Sequence, residues 1–139
     1  MIMPASKAKN PNPFHLRRLE MRTLSEAEAA VRSVGPCEES VPLMVPKLLF
    51  CVLKLENVRS PMANILKQEA LSLGAEAAVS QWSVNCSKPA TDVILAGTHK
   101  QLRKLAAKLR MQGGPMEAGR KAEYAGLSDA ILREIKESK

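Results

Sequence analysis

The sequence predicts an α+β (α/β-like) fold, in which a mixed sheet of about four strands packs against helices. Three times along the chain, a strand-like apolar run is followed by a polar cap, an amphipathic helix and a glycine. This order is typical of strand–helix units. In the second and third units the strand is apolar on both faces, as expected for strands that are covered on both sides or lie in an oligomer.

The first unit is a strand over residues 16–22 followed by a helix over 25–34. Ser25 and Glu28 have the spacing of a capping box, in which each side chain satisfies a backbone N–H group at the helix start. Gly35 follows the last helical residue.

The second unit is a strand over residues 47–56 and a helix over 61–73. Ser60 is placed to cap this helix, and Pro61 occupies its first position, where the missing N–H group costs nothing. Gly74 can adopt the left-handed conformation that ends many helices. The boundaries of this helix are therefore marked at both ends.

The third unit is a strand over residues 91–96 and a helix over 99–111. Thr98 and Gln101 repeat the capping-box spacing. Between the second and third units, residues 75–86 are interpreted as one further strand or a bent pair. Together the units supply the strands of the predicted sheet.

The chain is predicted to have three parts. Residues 1–13 contain three prolines and are interpreted as a flexible tail. Residues 14–112 form the α/β domain, and residues 113–139 form a glycine-rich hinge and a C-terminal helix. That helix covers 121–136 and is predicted to break near Gly126.

The composition favours an anionic partner. The 139 residues carry a net charge of +7, and only 3% of them are aromatic. A basic chain attracts nucleic acid, a phosphorylated metabolite or an acidic protein surface, and charge does not discriminate among these.

The cysteines and the apolar runs predict a soluble cytoplasmic protein. Cys37, Cys51 and Cys86 have no CxxC spacing and cannot all pair within one chain, which favours a reducing compartment. The longest apolar run, 48–55, contains Lys54 and is too short to span a bilayer. The N-terminus lacks the apolar segment of a signal peptide.

Several segments together carry a resemblance to a known family. They are residues 63–69, 71–74, 76–79, 85–87, 91–95 and 108–112. They resemble the region that precedes the catalytic barrel in dihydropteroate synthases of some bacteria, and the likeness covers roughly residues 15–112.

The resemblance implies a stand-alone relative of that N-terminal extension. In the family, the pterin, p-aminobenzoate and diphosphate are handled by the barrel, whose Asn-Val-Thr-Pro-Asp-Ser-Phe motif does not occur here. No catalytic residue is therefore carried over, and no cofactor is predicted. The resemblance implies a non-catalytic accessory or ligand-binding domain linked to folate or pterin metabolism. Its expected partners are a pterin or folate ligand, or a barrel-type protein.

The helix over 61–73 supplies most of the candidate ligand-binding residues. Glu69 falls within its apolar stripe, so its carboxylate must be paired, hydrogen-bonded or protonated. It is either a functional acid or a structural residue that pairs with a lysine such as Lys54 or with a backbone N–H group. On the other helix face, Asn64, Lys67 and Gln68 could hold the edge of a pterin, although a solvated helix face has the same pattern.

Asn85 and Cys86, in a polar turn, complete the ligand-binding candidates. Lys88 could lower the pKa of the Cys86 thiol. A nucleophilic pair of Cys86 with His99 is conceivable, but no third group is present in the sequence to orient it. Two histidines and three scattered cysteines form no zinc signature.

A basic stripe on the helix over 99–111 supports the alternative function. It consists of Lys100, Arg103, Lys104 and Lys108. These residues could contact phosphates in RNA or an acidic protein partner, or form the solvated face of an ordinary helix. The shortage of aromatic residues argues against stacking of single-stranded bases on a sheet. If helices cover only one side of the sheet, its doubly apolar strands also predict a homodimer or a partner surface.

Overall fold

The computed structural model describes residues 13–112 and 118–136. The main elements are α1 (Leu24–Arg32), α2 (Val41–Met44), β1 (Phe50–Arg59), α3 (Ser60–Ser72), β2 (Glu76–Ala78), β3 (Ala90–Thr98), α4 (His99–Arg110) and α5 (Ala118–Lys136). Short 3-10 turns at Glu38–Ser40 and Val45–Lys47 flank α2. The architecture is α+β.

The three strands form one antiparallel sheet in the order β1-β3-β2. Strands β1 and β2 run parallel to each other, and β3 lies between them, which is the arrangement of a split β-α-β unit. Phe50 pairs with Thr98 at one end of the β1–β3 ladder, and Arg59 pairs with Ala90 at the other. Within the described residues, no strand pairs with the outer edge of β1.

The prediction of a mixed sheet of about four strands is wrong, because the sheet has three strands and all its pairings are antiparallel. Residues 16–22 form no strand. Four of these seven residues are charged and the apolar ones do not alternate, so the segment presents no apolar face to a sheet. In the predicted strand over 75–86, only Glu76–Ala78 pairs, and turns follow it.

Two helix predictions also need correction. Helix α1 begins at Leu24, and its capping box joins Thr23 to Glu26 instead of Ser25 to Glu28. Helix α5 continues through Gly126 without the predicted break. The tail predicted at 1–13 lies outside the described residues except for its last position, and the predicted hinge after Gln112 falls in the undescribed residues 113–117.

The signals at the start of α4 and at the end of α3 are present as predicted. Thr98 and Gln101 form the capping box at the start of α4. Gly74, which follows α3, has a φ of +81°, a conformation that costs other residues free energy.

The N-cap predicted for α3 is wrong. Helix α3 begins at Ser60 itself, so Arg59 is its N-cap and Pro61 its second residue. The Ser60 hydroxyl donates a hydrogen bond to the backbone oxygen of Lys88 and does not cap the helix.

The main core lies between one face of the sheet and helices α3, α4 and α5. Its fully buried helical residues include Ala63, Leu66, Leu102, Leu105 and Leu109. Their spacing of three and four residues places each set on one helix face. A smaller cluster joins α1 and α2 to the residue preceding β1.

Helix α5 is an integral part of this core. It contributes Tyr124 and Ile131, and its buried Ser128 donates a hydrogen bond of 2.8 Å to the backbone oxygen of Ala106 in α4. At the end of β1, the guanidinium group of Arg59 donates bonds of 2.6 and 2.9 Å to Glu123. The hydrogen bonds from Arg59 also lower the pKa of the Glu123 carboxyl.

Candidate functional site

Two of the three polar candidates on the outer face of α3 form hydrogen bonds within the protein. Asn64 Nδ2 donates a 2.8 Å hydrogen bond to the backbone oxygen of Ser83. Lys67 Nζ donates one of 2.7 Å to the backbone oxygen of Ala77. These contacts hold β2 and the following loop against α3. Among the α3 candidates for pterin binding, Gln68 is exposed.

Glu69 forms an ion pair between α3 and α4. Its Oε1 lies 3.4 Å from Lys108 Nζ, and its Oε2 accepts a 2.9 Å bond from Gln112 Nε2. The side chain is 23% exposed, so water reaches the pair and weakens it. The geometry therefore matches the structural interpretation of Glu69, with Lys108 as partner instead of Lys54.

The residues after β2 form a turn that lies far from His99. Asn85 Oδ1 accepts a 3.0 Å bond from the backbone N–H of Ser87, and Cys86 is exposed with a φ of +57°. Cys86 precedes β3, whereas His99 follows its last residue. Nine residues of strand separate these ends by about 25 Å. Cys86 and His99 therefore do not form a nucleophilic pair.

Two basic residues of α4 lie beside Lys47, which the sequence analysis did not include in the basic stripe. Lys47, Lys100 and Lys104 line a cleft of about 390 Å³, together with Leu73, Thr98 and Gln101. The ammonium group of Lys47, close to Lys100, lowers the pKa of Lys100, since two like charges disfavour each other. Lysine side chains of α4 and of the turn before β1 thus converge on one cleft.

Lys47 reaches this cleft because of the strand register. Its 3-10 turn, Val45–Lys47, ends just before β1, and the β1 residue Phe50 pairs with Thr98 at the start of α4. The backbone N–H of His99 also donates a 2.9 Å bond to the backbone oxygen of Leu49. Only a prediction of the β1–β3 pairing could have placed Lys47 beside Lys100.

We define the basic surface as Lys47, Lys100, Arg103 and Lys104. Arg103 and Lys104 are exposed on α4. In residues 13–112 and 118–136, none of the four forms an ion pair with a carboxylate. Lys108, the fourth member of the predicted stripe, is turned toward α3 by its contacts with Glu69 and Ser72. In this part of the chain the four cations are therefore not held in ion pairs. Glu28 and Glu38, which pair with Arg32, line a separate cleft together with Arg103.

Acid is expected to destabilise the fold through His99. The ring is buried, and burial, followed by the nearby Arg103 charge, lowers its pKa. Below a pH of about 6.5 the unfolded chain takes up a proton that the folded chain resists, so the free energy of unfolding falls as the pH falls through that value. Urea unfolding at pH 7.5 and 5.5 measures this loss.

The variant His99→Gln tests whether His99 causes this loss. Its matched control is His15→Gln, which changes an exposed histidine. The loss of stability between the two pH values should be smaller in His99→Gln and unchanged in His15→Gln. An equal loss in wild type and in His99→Gln would contradict the assignment to His99.

The described part of the chain contains neither a metal-binding cluster nor a membrane-spanning helix. Within it, no three His, Cys, Asp or Glu side chains lie together in a way that could hold a metal ion. No helix there has both the length and the apolar composition needed to cross a bilayer.

Comparison with known proteins gave no match: the chain matches no family model, no curated protein and no solved structure. The relation to the extension of dihydropteroate synthases thus stays a prediction from the quoted segments.

Proposed function

We propose that the chain is a non-catalytic RNA-binding domain that contacts phosphates through the basic surface. The observation that carries this proposal is the convergence of Lys47, Lys100 and Lys104 on one cleft, with Arg103 beside it and no carboxylate partner in the described residues. Like charges held together without a counterion are best stabilised by an anionic ligand.

The contrast with α3 supports this choice over a pterin site. Asn64, Lys67 and Glu69 already contact groups of the protein itself, whereas in the described residues no side chain of the basic surface forms an ion pair with a carboxylate. A role in folate or pterin metabolism has its support in the sequence resemblance alone. Its test is a thermal shift with dihydropterins, for which a ligand at one hundred times its Kd adds about 2.7 kcal/mol.

The charge and the composition define the kind of RNA recognition proposed. Lysine contacts to phosphates give an affinity that falls steeply with salt and depends little on sequence. The chain has 3% aromatic residues, which provides few platforms for stacking bases. We therefore propose contact with the RNA backbone, as opposed to readout of individual bases.

Charge reversal tests the proposal. In fluorescence anisotropy titrations with a labelled RNA at several salt concentrations, the double variant Lys100→Glu/Lys104→Glu should bind at least about tenfold more weakly than wild type. Each lost phosphate contact reduces the slope of log K against log salt by about 0.7 for a single strand, so the slope should fall by about 1.4.

The control is Lys88→Glu/Lys121→Glu, which changes the net charge by the same amount at two exposed lysines outside the basic surface. It should retain most of the wild-type affinity. Equal weakening in both double variants would mean that binding follows net charge and not this surface. Absence of RNA binding by the wild type at low salt would overturn the proposed function, and an acidic protein partner would then be tested.

A further inference from the structure

In the described part of the chain, one side of the sheet is covered by no helix, and we call it the bare face. Helices cover the face that carries Val93 and Leu95, whereas Phe50, Val52 and Ile94 on the opposite face are 65%, 64% and 40% exposed. Contiguous apolar residues of this size on a surface mark interaction sites or aggregation hazards. This face adjoins the outer edge of β1, which has no strand partner within residues 13–112 and 118–136.

A groove runs beside that edge. It has a volume of about 380 Å³ and lies between β1 and α5, with Leu53, Leu55, Leu127, Ala130 and Ile131 among its lining residues. A strand added to an open edge forms main-chain hydrogen bonds with it, and its alternate side chains fill the adjoining pockets. A strand added here must therefore be apolar on the side that faces the groove.

The same strand must also be apolar on its other side, where it would extend the bare face. β1 itself has this double pattern. Cys51 and Leu53 point toward the helices, and Phe50 and Val52 point away from them. The other long strand, β3, has a strand partner on each edge: β1 along most of its length, and β2 at residues 94–96.

We propose that β1 pairs with β1 of a second copy of the chain, antiparallel about a two-fold axis, to form a continuous six-stranded sheet. A two-fold interface is self-complementary, so one strand can supply both the edge and its occupant. In the dimer, Cys51 and Leu53 of each copy enter the groove of the other. The exposed residues Phe50 and Val52 of both copies then form one apolar strip.

Charge selects the register of this pairing. The β1–β3 pairing is regular from Phe50 to Leu55 and shifts after Leu55, so the dimer contact is confined to this stretch. An axis at Lys54 would place two ammonium groups opposite each other, which is destabilising. An axis at Val52 places Val52 opposite its copy and Phe50 opposite Lys54 of the other copy, where the ammonium group can lie against the ring.

Cysteine cross-linking tests both the dimer and its register. In a chain that carries Cys37→Ser, Cys51→Ala and Cys86→Ser, so that position 51 stays apolar, Val52→Cys should give a disulfide-linked dimer under mild oxidation. Residues directly opposed in a sheet have Cβ atoms about 4.5–5.5 Å apart, near the separation that a disulfide bridges. The control is Ile94→Cys, which lies on the same bare face but not at the edge.

Light scattering gives an independent measurement. Wild type should show twice the monomer mass at micromolar concentration, and Val52→Lys should show the monomer mass, because two ammonium groups would meet at the axis. A wild type that stays monomeric would overturn the proposal. Equal cross-linking of Ile94→Cys would also overturn it, since the sheets would then be stacked face to face.

Discussion

Replacing Leu66 by alanine should lower the free energy of unfolding by about 3 kcal/mol, within the range of 2–5 kcal/mol that buried leucines lose. Leu66 is 0% exposed and lies on α3 in the main core. The truncated side chain loses its burial and leaves a cavity that the surrounding residues fill only in part. The urea midpoint should fall by about 2 M.

The same helix provides the control. Leu71→Ala makes the same chemical change at a residue that is 50% exposed, and it should cost less than about 1 kcal/mol. Similar losses in the two variants would mean that α3 does not bury the face that carries Leu66.

Replacing Tyr124 by alanine should be at least as costly, with an expected loss of about 3–5 kcal/mol. Tyr124 is the largest of the fully buried side chains and belongs to the main core, although it lies on α5. The ring contributes a large buried apolar area that no neighbour can replace. Urea unfolding followed by circular dichroism measures the loss.

Arg133→Ala is the control for this variant, because Arg133 is exposed on the same helix. It should leave the free energy of unfolding within about 0.5 kcal/mol of wild type. A single cooperative transition is expected in every variant. If Tyr124→Ala produced an early transition of α5 and left the main transition unchanged, α5 would be a separately folding segment and not part of the core.

Local features of the sequence were sufficient to predict α3, α4 and the two long strands. The apolar spacing, the Thr98–Gln101 capping box and the turn at Gly74 each depend on residues that are close in sequence. The strand predicted over 16–22 failed because its apolar residues are interrupted by charges. The sheet order could not be derived, since β1 pairs with a strand that starts about thirty residues after β1 ends.

For the candidate site, too, local spacing predicted some features, whereas others depend on contacts between distant segments. The position of Glu69 within an apolar stripe indicated that its carboxylate needs a partner, but the identity of that partner depends on how α3 lies against α4. The stripe on α4 was visible from its spacing, whereas Lys47 joins it only through the register between β1 and β3. The partners of Glu69 and of the stripe on α4 depend on contacts between distant segments, which the sequence alone did not supply.

The central position of β3 has a consequence for the protein during its synthesis. Both ladders of the sheet in the described chain include β3, and β1 and β2 do not touch as strands. A nascent chain that has emerged only as far as Pro89 therefore holds no native strand pairing, although β1 and α3 are complete. Until residues 90–98 emerge and pair with β1 and β2, the apolar strand β1 lacks its native partner and is prone to aggregation.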